Sequence, residues 1–271
     1  KYIEGWQKID SFLAEKEICN GFKSLIVFRR EHNCGVGKEG SNPQLLTNEI
    51  RKTHDRYIFT EDDNEFSPNF LQYMNWGLSE FKDNPNVYAI CGFKEVPIEI
   101  ESNNVFAHTR FNAWGFGSWF DRHEKAQKFR HKDNLLKHVN ALPITTIFNS
   151  EELLHAFHVL RMVNRNVLYG DTMRGCIPKQ ERMCIFPLIN KVKNHGLDGS
   201  GQHGKGSIDM IKKNKSLQLD TQSIFDPVIR DSLNQKSIEK AYHDYYKIDI
   251  VKHAKLAVAF LLWKITKKNI C

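Results

Sequence analysis

The sequence predicts an α/β fold, with a mixed, mainly parallel sheet flanked by helices and a helical C-terminal tail. Three apolar, β-prone runs support this prediction, at residues 57–59, 87–93 and 183–187. Between them lie segments whose apolar residues recur at helical spacing, such as residues 70–81. Alternation of strands with helices along a chain is typical of α/β proteins.

The size and composition suit one large domain, or a domain with an appendage. The chain has 271 residues, of which 41% are hydrophobic and 26% are charged. It contains no apolar run of about 18 residues and does not open with a signal peptide, so we expect no transmembrane helix. The six cysteines form no CxxC pair. Free thiols are expected, in a reducing, cytoplasmic location.

Most of the positive charge belongs to the C-terminal tail. The formal net charge is +7, and residues 211–271 contain 12 Lys or Arg against 6 Asp or Glu. A neutral body with a basic, apolar tail favours an anionic membrane surface over nucleic acid as a partner. The sequence therefore predicts a domain over residues 1–210 and a basic helical tail over 211–271. Trp263 and the flanking lysines predict an interfacial helix, and packing of this helix on the domain is the alternative.

The chain is predicted to begin with a helix, followed by a strand. Residues 1–18 have the spacing of an amphipathic helix, and residues 23–28 that of a buried strand. The turn that follows contains Gly35 and Gly37, which permit a tight backbone turn near a ligand. An ordinary strand-to-helix turn explains these residues equally well. A helix over 42–53 should then lead into the next strand.

Three consecutive carboxylates, Glu61, Asp62 and Asp63, follow the strand at 57–59. Ser67 and Pro68 then provide a helix cap and a first helical residue. Ligands of open α/β sheets bind outside the carboxyl ends of the strands, where this acidic turn should lie. Adjacent carboxylates repel one another, and a divalent cation with oxygen ligands commonly offsets this repulsion. A solvated acidic turn is the alternative.

An aromatic segment at 105–122 has too many glycines for a simple strand. Trp114 and Trp119 could form a platform on which a sugar stacks, while Gly115 and Gly117 would let backbone amides approach a polar ligand. An aromatic corner of the core is the alternative. Farther along, a largely helical region contains His155 and His158 at i, i+3, which could face one metal, although surface histidines are commoner.

Two further segments carry candidate residues. Asp171 precedes the strand at 183–187 and is either a catalytic base or an N-cap. Residues 194–206 are rich in glycine and form either a linker or a lid over a ligand. His203 in this segment could complete a manganese site that carboxylates begin.

Taken in order, these segments resemble GT-A (Rossmann-like) glycosyltransferases, especially bacterial sugar transferases of family 2 and relatives of N-acetylglucosaminyltransferase I. Residues 61–63 resemble the Glu-Asp-Asp form of the DxD motif. Residues 114–119 resemble the Trp-Gly-x-(Gly/Ala)-x-Trp acceptor loop. Residues 194–203 resemble the Asn-x-Gly-x-Asp-Gly-Ser-Gly-x-His segment of these enzymes. Such domains normally begin with nucleotide-binding strands, so the resemblance also implies that the N-terminal strands are missing.

The resemblance implies inverting transfer of a sugar from a nucleotide-sugar donor to a hydroxyl of a glycan or lipid-linked saccharide, with Mn²⁺ or Mg²⁺. Its setting would be surface polysaccharide biosynthesis, on the inner face of the membrane. The implied roles are metal binding by Asp63 and His203, donor binding by Arg29, Asn33, Glu61 and Asp62, acceptor binding by Trp114, Gly115, Gly117 and Trp119, and base catalysis by Asp171. A metal-dependent phosphoesterase and a non-catalytic glycan- or nucleotide-binding domain remain the alternatives.

Overall fold

The computed structural model describes residues 2–18, 23–28, 42–98, 104–196, 218–228 and 235–266. The chain divides into two compact units, residues 1–41 and 42–271. In the first unit, helix α1 spans Tyr2–Ile18, as predicted. Residues 23–28 have no regular secondary structure, so the strand predicted there is wrong. An apolar run forms a strand only with a hydrogen-bonding partner, and the described residues of this unit include no other strand.

The second unit contains all seven described strands. Its elements in chain order are α2 (Asn42–Ile50), β1 (Arg56–Phe59), β2 (Asn64–Phe66), α3 (Phe70–Glu80), β3 (Val87–Cys91), β4 (Val105–His108), β5 (Phe116–Trp119), α4 (Phe120–Gln127), α5 (Lys132–Ala141), α6 (Ser150–Arg165), α7 (Gly170–Gly175), β6 (Met183–Pro187), β7 (Val192–Asn194), α8 (Gln235–Tyr246) and α9 (Ile250–Thr266). Short 3-10 turns occupy Lys128–Arg130, Ile144–Phe148 and Lys179–Glu181.

Five strands form a mixed sheet in the order β1-β5-β3-β6-β4. Strands β3 and β6 are parallel, whereas β5 is antiparallel to both β1 and β3, and β4 is antiparallel to β6. Strands β1, β3 and β6 therefore run in one direction. The mixed α/β class is confirmed, but only one neighbouring pair is parallel, because β5 and β4 insert in the opposite direction.

Helices flank the sheet, and side chains alternate between two hydrophobic clusters. Ile90 and Ile185 join one cluster with residues of α3, including Tyr73. Tyr88 and Phe186 join the other cluster, which contains residues of α5, α6, α8 and α9. The alternation follows from the pleat of a strand, whose successive side chains point to opposite faces.

The aromatic segment forms strands, contrary to the prediction. Residues 105–108 are β4 and 116–119 are β5. A Cβ at Gly117 would lie 3.0 Å from Leu78 Cδ1, so this glycine lets α3 pack closely on β5. The predicted helix cap is also displaced, because Asn69, not Ser67, directly precedes α3.

The C-terminal helices pack in the same unit as the sheet. Tyr242 of α8 and Phe260 and Trp263 of α9 are buried in the larger hydrophobic cluster, and Trp263 is 2% exposed. Trp263 is therefore a core residue and not the predicted interfacial anchor, and the alternative, packing on the domain, is confirmed. The predicted boundary at 210/211 lies outside the described residues. No described helix combines the length and the apolar character needed to cross a membrane.

Candidate active site

Three loops meet at one edge of the sheet. Phe59, the last residue of β1, pairs with Phe116, the first residue of β5, and Phe116 pairs in turn with Cys91 at the end of β3. The acidic turn after β1, the aromatic loop before β5 and the segment after β3 therefore emerge side by side. This is the edge at which the acidic turn was predicted to lie.

The acidic turn faces a carboxylate from a distant part of the chain. Asn64 N donates to Glu61 O (3.3 Å) and closes the turn. Partial burial, followed by the negative charges of Asp63, Asp171 and Asp62, raises the pKa of Glu61 to about 7. The structure thus brings together the four carboxylates that the sequence singled out. We call Glu61, Asp62, Asp63 and Asp171 the acidic site.

The beginning of the glycine-rich segment also reaches the acidic site. Strands β2 and β7 form an antiparallel ribbon in which Asn64 lies opposite Asn194. Asn194 Nδ2 donates to Asp63 Oδ1 (2.8 Å), and His195 N donates to Asp63 O (2.8 Å). A Cβ at Gly196 would lie 2.2 Å from Asp63 Oδ2, so only glycine permits this approach.

Three predicted site residues cannot be placed. Arg29 and Asn33, the predicted donor contacts, lie outside the described residues. His203, the predicted second metal ligand, also lies outside them. Among the residues that the structure describes, Asn194, His195 and Gly196 of this glycine-rich segment lie against Asp63.

A buried ion pair anchors the ribbon, and the sequence analysis did not detect it. Lys191, just before β7, contacts the carboxylate of Asp220, and its Nζ also donates to Asn69 Oδ1 (3.0 Å). All three side chains are buried. Lys191 N donates to Gly92 O (2.8 Å), which ties the ribbon to the end of β3. No local sequence signal relates Lys191 to Asp220, because only the folded chain brings them together.

Asp171 lies in the first turn of α7, and Tyr169 occupies the N-cap position, so the N-cap alternative for Asp171 is wrong. Arg174 follows on the same helix. Its guanidinium lies 4.3 Å from the centre of the Phe111 ring, and its Nε donates to Tyr88 Oη (3.1 Å). Burial opposes the charge, but Tyr88, Tyr57 and Asp171 outweigh it and raise the pKa of Arg174. The acidic site therefore has a permanent cation beside it, which sequence reasoning missed.

Of the four aromatic-loop candidates, Trp114 and Gly115 lie at the site edge. Trp114 is half-buried, with its ring 4.6 Å from that of Phe93. Gly115 has φ of +61°, and its carbonyl accepts from Gly92 N (2.7 Å). Its backbone conformation favours glycine, and a Cβ would lie 2.7 Å from Val192 Cγ2.

Trp119 and Gly117 belong to the core. Trp119 is 3% exposed, and the guanidinium of Arg122 lies 3.5 Å from the centre of its ring. This placement contradicts the predicted acceptor role of Trp119, because no ligand can stack on either face of a ring enclosed in this way. Gly117 is covered by Leu78. The core-corner alternative therefore applies to this end of the segment.

The carboxylates of the acidic site are the groups at this edge of the sheet that could hold a hard cation. Its carboxylate oxygens are ligands that Mg²⁺ and Mn²⁺ prefer. Among the described residues, however, the one group with three ligand atoms within 4.8 Å of one another is His138, His155 and Cys176, elsewhere in the fold. Mg²⁺ usually binds one or two carboxylates together with substrate phosphates. Asn64 Nδ2 is buried without an acceptor among the described residues, as a phosphate-binding donor would be.

No protein-family model matches this sequence, and no curated protein matches it significantly. Function must therefore be inferred from the residues of the site.

Proposed function

We propose that the chain is a GT-A glycosyltransferase that transfers a sugar, with inversion, from a nucleotide-sugar donor to a hydroxyl acceptor. The convergence of Asp63, Asp171 and Asn194 carries this proposal. These residues lie in three distant segments, to each of which the family resemblance assigns residues of the site, and they lie near one another at one edge of the sheet. Chance resemblance would not require the three segments to meet.

Each residue of the acidic site has a proposed role in the transfer reaction. Asp63 is the proposed metal ligand, and Glu61 or Asp62 supports it or contacts the ribose. A bound Mn²⁺ or Mg²⁺ would neutralise charge on the diphosphate leaving group. Asp171 accepts the proton of the acceptor hydroxyl while the oxygen of that hydroxyl forms a bond to the anomeric carbon. The bond from that carbon to the diphosphate oxygen breaks, and its electron pair leaves with the nucleoside diphosphate.

Two neighbours adapt the site to this reaction. Arg174 places a permanent positive charge near Asp171, and Asp171 in turn contributes to the raised pKa of Arg174. Trp114 supplies a half-buried ring at the same edge, suited to one face of a sugar. The setting implied by the family is the assembly of a surface polysaccharide or lipid-linked glycan at the inner membrane face.

The position of the base can be tested against a matched carboxylate. Asp171→Asn should lower turnover by about 100-fold or more, the usual contribution of a general base, with little change in donor affinity. Asp121→Asn is the control, because Asp121 follows Trp119 at the opposite end of β5. An unchanged rate in Asp171→Asn would move the base to another group, with Glu61 the nearest carboxylate.

The activity itself can be measured with a panel of UDP-, GDP- and dTDP-sugars and Mn²⁺. Nucleoside diphosphate release and glycosylated product should both require a saccharide or lipid-linked acceptor. Hydrolysis of phosphoesters without an acceptor would instead indicate a phosphoesterase. Binding of a nucleotide or glycan without turnover would indicate a non-catalytic domain.

A further inference from the structure

A second cluster of ligand-type side chains lies away from the acidic site. It consists of His138 on α5, His155 on α6 and Cys176 immediately after α7. One ligand atom from each side chain lies within 4.8 Å of the other two. His155 Nε2 is 3.8 Å from Cys176 Sγ, and Cys176 is 3% exposed. Two helices and the C-terminal end of a third thus bring together a buried cysteine and two half-buried histidines.

These distances approach those of a zinc site. Zinc lies about 2.3 Å from sulfur and about 2.0 Å from histidine nitrogen, so tetrahedral ligands stand about 3.6 Å apart for sulfur and nitrogen. The separation of 3.8 Å between His155 and Cys176 is close to that value. The ligand atom of His138 lies within 4.8 Å of both of the others.

Two further observations point to a ligand within the cluster. His138 Nε2 is buried and has no hydrogen-bond partner among the described residues. Unpaired buried polar atoms are costly, and a bound ion is one common explanation. A Cβ at Gly175 would lie 2.5 Å from His155 Cε1, so this glycine admits the His155 ring beside Cys176.

Burial mainly sets the charge states of these side chains. Burial lowers the pKa of His155, and it lowers that of His138 to about 4, so both rings are neutral, as metal ligands must be. Burial raises the pKa of the Cys176 thiol to about 12, and the charge of Arg182 opposes this rise only in part, so a metal ion has to displace the thiol proton. Arg182 also faces the two histidines and would repel a cation, but the carboxylate of Glu151 faces Arg182 in turn.

We propose that His138, His155 and Cys176 bind a borderline-soft transition metal ion of the Zn²⁺ class. Binding forms one metal–sulfur and two metal–nitrogen bonds and releases the thiol proton of Cys176 to solvent. The two nitrogens and one sulfur distinguish this site from the oxygen-only acidic site. Because Cys176 directly follows α7, the ion would fasten the helix that carries Asp171 to α5 and α6.

Metal titration of the full chain, after treatment with a chelator, tests this proposal. Co²⁺ should bind one to one and give the thiolate-to-cobalt absorption band, and Zn²⁺ should displace it. Cys176→Ser should abolish the band, and His138→Gln should weaken Zn²⁺ binding at least about 100-fold, since loss of merely supporting residues already costs 10-fold to 100-fold. The matched controls should retain both the cobalt absorption band and the Zn²⁺ affinity of the wild type. These controls are Cys184→Ser, His158→Gln and Asp63→Asn.

Absence of the band from the folded wild-type chain would overturn the proposal, as would its persistence in Cys176→Ser. If Cys176→Ser does not fold, the melting temperature of the wild-type chain decides the question. Zn²⁺ should raise it, and His138→Gln should remove that rise; an equal rise in both proteins would place the ion elsewhere. Neither result depends on glycosyltransferase activity.

Discussion

The environment of individual site residues could be predicted from the sequence only in part, as Glu61 shows. The acidic triplet predicted mutual repulsion of carboxylates, and Glu61 indeed has a raised pKa. The contribution of Asp171 to that shift is a tertiary contact, and it was predicted only through the family resemblance. Trp119 was assigned wrongly, because its exposure depends on which face of β5 it occupies. Arg174 was missed, because its value lies in its contacts with Tyr88 and Asp171.

The raised pKa of Glu61 predicts a specific dependence of stability on pH. Its pKa rises from an ordinary value of 4.5 to about 7 on folding, so the folded chain holds this proton more tightly. The contribution of Glu61 to the free energy of unfolding should therefore fall as the pH rises from about 4.5 to 7. Glu61→Gln should lose less stability than the wild type between pH 5 and pH 8.

Urea unfolding at both pH values measures this difference. Glu80→Gln, an exposed substitution on α3, is the matched control and should follow the wild type. Equal pH dependence in the wild type and Glu61→Gln would contradict the raised pKa of Glu61.

The two-stranded ribbon escaped prediction, as did strands β4 and β5. Strands β2 and β7 have three residues each, too few to show a period of two. The longer strands β1, β3 and β6 were predicted, since each is a run of apolar residues. A strand at 23–28 was predicted by the same rule, and this prediction was wrong. An apolar run alone does not determine which strand it pairs with.

The close approach of Gly196 to Asp63 predicts the effect of the substitution Gly196→Ala. In Gly196→Ala, the Cβ would lie 2.2 Å from Asp63 Oδ2 and would push that carboxylate aside. Turnover should fall by on the order of 100-fold, as misplacement of a catalytic group by about 1 Å can cause. The melting temperature should change little, because Gly196 lies at the end of the ribbon.

Kinetic assays and thermal melts on Gly196→Ala test this expectation. Gly5→Ala on α1 is the control, since a Cβ there meets nothing within 4 Å. Unaltered turnover in Gly196→Ala would indicate that the position of Asp63 does not limit the reaction.

At the scale of the whole molecule, the α/β class was predicted correctly, whereas the strand order was not accessible. Pairing of β5 between β1 and β3 joins residues far apart in sequence, and no local pattern encodes it. The environment of the C-terminal tail was also not determined by its sequence. An apolar stripe among lysines occurs both on helices at a membrane surface and on helices that pack against their own domain.

The packed tail predicts a large stability effect at Trp263. Trp263→Ala should lower the free energy of unfolding by about 3–5 kcal/mol, because it leaves a cavity in the core. Leu262→Ala, next to it on α9 but 46% exposed, should cost much less. Denaturant unfolding measures both. Unchanged stability in Trp263→Ala, together with lost binding to anionic vesicles, would instead support a membrane anchor.

The most direct test of the central claim is calorimetric titration of the full chain with UDP, GDP and dTDP, with and without Mn²⁺. We expect one of them to bind only when Mn²⁺ is present, because the acidic site lacks a complete metal ligand set of its own. Asp63→Asn should abolish this binding, and Asp226→Asn, an exposed substitution in another segment, should preserve it. Binding that ignores Mn²⁺, binding that survives Asp63→Asn, or no binding at all would contradict a metal-dependent nucleotide-sugar site at residues 61–63.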